Sequence, residues 1–105
     1  MVQKVNDEEF LHEVEHNEKV VVKYYADWCG NCRLFSPKFV KMSEKPEYAG
    51  VKFLDVNAEK CPQARKIAEV RNLPTFAIFR NGQLVKSDFT SKEDLVENMI
   101  KTLLN

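Results

Sequence analysis

The sequence predicts an α/β fold: a central mixed β-sheet flanked by helices on both faces. Val20-Val21-Val22-Lys23-Tyr24-Tyr25-Ala26 is a continuous β-branched and aromatic run, which suits a central strand covered on both faces rather than a half-exposed one. Helical and strand periodicities alternate along the chain, as they must where helices join parallel strands. Thr75–Arg80 and Gln83–Lys86 flank Asn81-Gly82, the strongest hairpin signal in the chain, so these two strands are antiparallel.

The elements follow in order. A short strand over Val2–Val5 precedes a helix from Asp7, capped by Asn6 or Asp7, with Phe10, Leu11 and Val14 on one face. After the central strand, Leu34, Phe35, Phe39, Val40 and Met42 recur at helical spacing. Pro37 falls inside that pattern and predicts a kink, because its ring removes one helical hydrogen bond. Val51–Asn57 is the next strand, and Cys61-Pro62 opens a short helix reaching Val70, with proline at a first position that needs no donor. Past the hairpin, Ser91-Lys92-Glu93-Asp94 has the form of a capping box. The closing helix carries an apolar stripe of Leu95, Val96, Met99, Ile100 and Leu103. No repeat or low-complexity segment interrupts this order, and residues 1–105 read as a single domain.

Sixteen basic residues balance sixteen acidic ones, which argues against nucleic acid or a membrane surface as the main partner. The first residues lack the apolar stretch of a secretory leader, and three cysteines do not make a secreted disulfide framework; a cytoplasmic location is expected.

Chemistry is concentrated in Trp28-Cys29-Gly30-Asn31-Cys32, at the carboxyl end of the central strand and the start of the following helix. Ligand sites of open α/β sheets lie at such strand ends. Two cysteines one helical turn apart can close a short, accessible disulfide, so the pair reads as a dithiol/disulfide redox centre. Cys29, at the helix N-terminus, faces free backbone N–H groups that favour its thiolate, whereas Cys32 is shielded by the helix and suits a resolving thiol. Gly30 is expected to allow a tight turn and close approach of a partner chain. Composition favours a partly buried core role for Trp28; beside a reactive pair it also offers a flat apolar surface.

A Cys-x-x-Cys pair can also be half of a zinc site. The remaining candidates, Cys61, His12 and His16, form no second paired spacing, and the histidines lie four apart on an exposed helix face. No bound cofactor or intrachain metal is expected, and a metal or iron–sulfur cluster shared between chains stays as an alternative. Cys61 reads as a buried or capping residue.

Trp-Cys-Gly-x-Cys after a buried strand, Pro37 five residues past the second cysteine, and Leu73-Pro74-Thr75 before the hairpin together resemble the thioredoxin family over nearly the whole chain. The resemblance implies a thioredoxin fold and a protein thiol–disulfide oxidoreductase. It further implies that Leu73 and Pro74, joined by a cis bond, wall the substrate groove beside Trp28, Gly30 and Asn31. The residues around Pro74 alone suggest only an ordinary strand-starting proline.

Four departures from the family pattern stand out. Asn31 replaces the usual proline between the cysteines, which should favour the reduced form and place the potential between about −270 and −180 mV. Lys23 stands where the family usually has a buried aspartate, and Asp55 roughly where many members carry lysine. We therefore expect the buried acid–base pair with its polarity reversed, an ammonium near Cys32, and base duty passing to Asp55 or neutral Lys23 through water. Ser87-Asp88-Phe89-Thr90 replaces a rim glycine, so side chains should narrow or re-polarise the docking surface. Cys61 lies outside the active motif.

The expected activity is reduction of protein disulfides through a mixed disulfide on Cys29, resolved by Cys32, with a thioredoxin-reductase-like electron donor and a monomeric protein. The alternatives are a thioredoxin-like adaptor that binds without catalysis, and the metal or cluster carrier.

Overall fold

A computed structural model describes all residues, Met1 to Asn105. The strands β1 (Val2–Val5), β2 (Lys19–Tyr25), β3 (Lys52–Asn57), β4 (Thr75–Arg80) and β5 (Gln83–Phe89) form one sheet in the order β1-β3-β2-β4-β5. β1, β3 and β2 are parallel, and β4 runs antiparallel to β2 and to β5. β2 is therefore central, and its run Val20–Tyr24 is buried throughout, as its unbroken apolar character requires.

Side-chain alternation sorts the core into two layers. Val20, Val22 and Tyr24 point with Leu54 and Val56 toward α1 (Asp7–His16) and α3 (Pro62–Ile67), whose Phe10, Val14 and Ala64 complete that layer. Val21 and Phe53 point the other way, toward Phe35, Phe39 and Met42 of α2 (Gly30–Ser43) and Val96, Met99 and Ile100 of α4 (Glu93–Thr102). Lys23 and Asp55 share this second parity and are direct neighbours in the β2–β3 register. No helix is long and apolar enough to cross a membrane.

α2 carries Pro37 inside its span and continues past it to Ser43. Several expectations are corrected. Leu34 is 71% exposed, and Leu11, Val40 and Leu95 are exposed as well, so the apolar faces of three helices are narrower than their spacing implied. The box at Ser91–Asp94 does not form; Lys92 is the N-cap of α4 and makes no side-chain cap bond. The capping box is instead at α1, where Asn6 Oδ1 accepts from Glu9 N–H at 2.8 Å and Glu9 Oε1 accepts from Asn6 N–H at 2.9 Å. Asp7, just inside α1, accepts from Gln63 and Ala64 N–H and so satisfies the start of α3. α3 ends at Ile67, short of Val70, because Glu69 takes φ 52° and leaves the helical region. β5 runs to Phe89, beyond the expected Lys86.

Candidate active site

The end of β2 delivers Ala26 and the turn to α2, and the cysteines sit where strand becomes helix. Cys29 is the N-cap of α2: its Sγ accepts the Cys32 N–H at 3.1 Å, and its own N–H donates to Ala26 O at 3.1 Å. A sulfur held at a helix start by a backbone donor is placed to carry negative charge, since free N–H groups and the helix dipole both favour an anion there. Cys29 and Cys32 are disulfide-bonded, with Cα atoms 5.3 Å apart.

The pair is less open than its spacing suggested. Cys29 is 5% and Cys32 2% exposed, covered by Tyr25, Ala26 and Leu73. Cys29 is the more accessible of the two, in keeping with attack from outside on that sulfur. Leu73–Pro74 is cis, as the resemblance implied, and Leu73 packs on the cysteine cluster. Pro74 O accepts the Thr90 N–H at 3.2 Å, tying the proline turn to the end of β5.

Trp28 is 66% exposed, which corrects the partly buried reading. A single bond fixes its orientation: the indole Nε1–H donates to Glu59 Oε2 at 2.7 Å. Gly30 is also corrected in part. A Cβ there would meet nothing within 4 Å and the residue does not need a left-handed φ, so the local backbone alone does not require glycine. Asn31, at the second position of α2, is exposed. On the rim, Phe89 pairs with Thr75 and stands exposed, so this edge is aromatic where the family pattern has glycine.

Behind the disulfide lie Lys23 and Asp55, with Nζ 3.4 Å from Asp55 Oδ1. Lys23 is only 1% exposed. Its shortest polar contact is with Ser36 Oγ, at 2.5 Å, and Ser36 in turn donates to Cys32 O at 3.1 Å. Burial pulls the Lys23 pKa below the usual lysine range against the opposing pull of Asp55, and burial pushes Asp55 above the usual carboxylate range against the opposing pull of Lys23. The two groups border a cavity of about 160 Å³ that also touches Lys4, Tyr25, Asp27, Cys32, Arg33 and Ser36. Its volume could hold several waters. Sequence reasoning missed Ser36 and Glu59. Ser36 was within reach, since it lies one helical turn beyond Cys32 and on the same face.

No cluster of three or more metal-ligating side chains is present. Cys61 is buried and free, its thiol directed at Val5 O at 3.7 Å, and burial raises its pKa. It is the N-cap residue of α3 but makes no side-chain cap bond.

The sequence pattern described as Thioredoxin matches residues 1–102. The chain belongs to the thioredoxin family. It is 38% identical over 85 residues to horse (Equus caballus) thioredoxin, covering 81% of this chain and 79% of that one. It is 32% identical over 95 residues to mitochondrial thioredoxin-3 of Saccharomyces cerevisiae, covering 90% and 73%. The Malassezia sympodialis thioredoxin structure superposes with a TM-score of 0.90 at 27% identity, covering 99% of this chain and 94% of that one. This thioredoxin-family chain is a protein thiol–disulfide oxidoreductase, and its fold is the thioredoxin fold. Thioredoxins act on disulfide-containing substrates and are reduced by reductase-type partners.

Proposed function

We propose that this protein works as a reductant of protein disulfides, using Cys29 as nucleophile and Cys32 as resolving thiol. The Cys29 thiolate attacks one sulfur of a substrate disulfide; a Cys29–substrate bond forms and the other substrate sulfur leaves as a thiolate, taking up a proton. Cys32, deprotonated, then attacks Cys29 Sγ and releases the second substrate thiolate. The substrate gains two electrons and two protons, and the protein is left with the Cys29–Cys32 disulfide. The observation that carries this reading is the seat of Cys29 Sγ at the N-terminus of α2, where it receives a backbone N–H.

Leu73 packs on the cysteine pair, and with Trp28, Gly30, Asn31 and Pro74 it forms the surface a substrate segment meets. The fixed indole and the cis-proline turn supply rigid walls, and the backbone before Pro74 is placed to pair with an extended chain. Lys23 and Asp55 serve as the buried acid–base pair behind Cys32. A thioredoxin-reductase-like donor returns the two electrons, so the protein takes part in electron transport without a bound cofactor of its own. We place it in the cytoplasm, as a monomer acting away from membranes; a reducing compartment suits a free buried thiol at Cys61.

Turbidity of insulin reduced by dithiothreitol tests the activity. Micromolar protein should shorten the lag, and Cys29→Ser should abolish the effect. No acceleration by the intact chain would overturn the proposal.

A further inference from the structure

We propose that Ser36 is a positioning residue for disulfide exchange: it holds the Lys23 ammonium on the turn of α2 that carries Cys32, so that positive charge governs the space behind the resolving sulfur. The proposal rests on the reading of Cys32 as the resolving thiol and adds to it the group that sets its local field.

The hydroxyl's orientation is decided by its two neighbours. Ser36 has one hydrogen to give and gives it to Cys32 O, so toward Lys23 Nζ it can only accept. Lys23 carries three donors, and the shortest contact goes to this hydroxyl on α2 and not to the carboxylate beside it in the sheet. Asp55 Oδ1, 3.4 Å from the ammonium, is left buried with no hydrogen-bond partner. The serine thus competes with Asp55 for the ammonium and draws it toward the active-site helix.

Cys32, Ser36, Lys23 and Asp55 all border the same cavity. The charges facing it are Lys4 from β1, Lys23 from β2, Arg33 from α2, Asp55 from β3, and Asp27 from the turn before α2. Three cations against two carboxylates leave an excess of one positive charge around the only sulfur that touches this space. When Cys29 is tied to substrate, Cys32 must lose its proton to the cavity before it can attack. A thiolate formed there is stabilised by the ammonium that Ser36 keeps in place. Without the hydroxyl, Lys23 is free to close the 3.4 Å separation from Asp55 Oδ1 into a hydrogen bond, and that stabilisation weakens.

The test is an ultraviolet titration of the Cys32 thiolate in a Cys29→Ser background, where Cys32 is the sole active-site thiol. Ser36→Ala should raise the Cys32 midpoint by roughly one pH unit, the scale set by a cation a few ångströms from an anion, and Ser36→Thr, which keeps the hydroxyl, should restore it. In the otherwise intact protein, the pH profile of disulfide reduction should move alkaline with Ser36→Ala and return with Ser36→Thr. Lys23→Met is the companion, combined with Asp55→Asn if the single variant fails to fold. If the lysine change moves the midpoint and Ser36→Ala does not, the serine has no positioning role. If neither moves it, the positive field behind Cys32 is wrong as well. Failure of the underlying reading shows separately, as an absence of trapped adduct on Cys29 in Cys32→Ser.

Discussion

Replacing the buried pair by Lys23→Met together with Asp55→Leu should make the protein more stable and less competent. Lys23 is 1% exposed, so its ammonium has given up nearly all its hydration. In return it holds one hydrogen bond, to Ser36, and a looser contact with Asp55 at 3.4 Å. A charge-assisted hydrogen bond contributes about 1.5–3 kcal/mol, whereas the effective penalty of burying an ion is several kcal/mol, and imperfectly satisfied buried pairs are often improved by apolar replacement by about 1–4 kcal/mol. Asp55 Oδ1, which has no hydrogen-bond partner, places this pair among the imperfect ones. Methionine suits the space because the end of the side chain already faces aromatic rings, Lys23 Nζ lying 5.6 Å from the Phe39 centroid and 5.8 Å from that of Tyr25, and a thioether packs well against such rings. We expect a gain of about 1–2 kcal/mol, at the lower end of that range because the Asp55 side chain keeps 19% exposure.

The gain should depend on pH. Burial holds Lys23 below its ordinary pKa, so on approaching the ordinary lysine value the unfolded chain binds more protons there than the folded one, and native stability rises with pH. Burial holds Asp55 above its ordinary pKa, so just above the ordinary aspartate value the folded chain binds more protons, and stability falls as pH rises. The pair is therefore most costly in the neutral window between these limits. Urea unfolding from pH 4 to pH 10 should show the double variant's advantage greatest near neutrality and smaller toward both ends. A variant less stable than the parent by about 2 kcal/mol at pH 7 would refute the reasoning, because it would mean that the pair's contacts outweigh its desolvation.

Two further outcomes follow from single residues. Glu69 holds φ 52° without being glycine, so Glu69→Gly should raise stability by about 0.5–1 kcal/mol in thermal or urea unfolding, the relief of left-handed strain exceeding glycine's extra chain entropy. The Cys29/Cys32 potential, measured against glutathione, should lie between about −270 and −180 mV, and Asn31→Pro should lower it.

Much of the architecture was legible because the signals were strong and local. The apolar run of β2, the Asn81-Gly82 turn and the Cys-x-x-Cys spacing each impose one conformation with little help from elsewhere. The errors came where a competing partner, distant in sequence or close by, decides the outcome. Asp7 is a plausible cap for its own helix, yet its carboxylate serves α3, some 56 residues away in sequence. The Ser91–Asp94 pattern lost to Lys92 because Thr90 takes the role of local acceptor, its Oγ1 receiving the Lys92 N–H. Apolar residues such as Leu34 lie at helical spacing but just outside the arc that meets the sheet.

The site divides in the same way. The cysteines could be placed from the motif, the cis proline from the family resemblance, and the Lys23–Asp55 pairing from that resemblance together with a misfit charge in a buried strand. Which acceptor wins the ammonium depends on the height of Ser36 above the sheet, and neither spacing nor composition carries that. Trp28 was misjudged because its average tendency to be covered gives no hint of a single surface bond to Glu59.

The most direct test of the central claim is to trap the exchange intermediate. Cys32→Ser, reduced and mixed with a disulfide-bonded peptide, should accumulate a one-to-one mixed disulfide located on Cys29 by mass spectrometry, while Cys29→Ser should accumulate none. An adduct on Cys61, equal adducts in both variants, or no adduct in Cys32→Ser would contradict the assignment of Cys29 as nucleophile and Cys32 as resolving thiol.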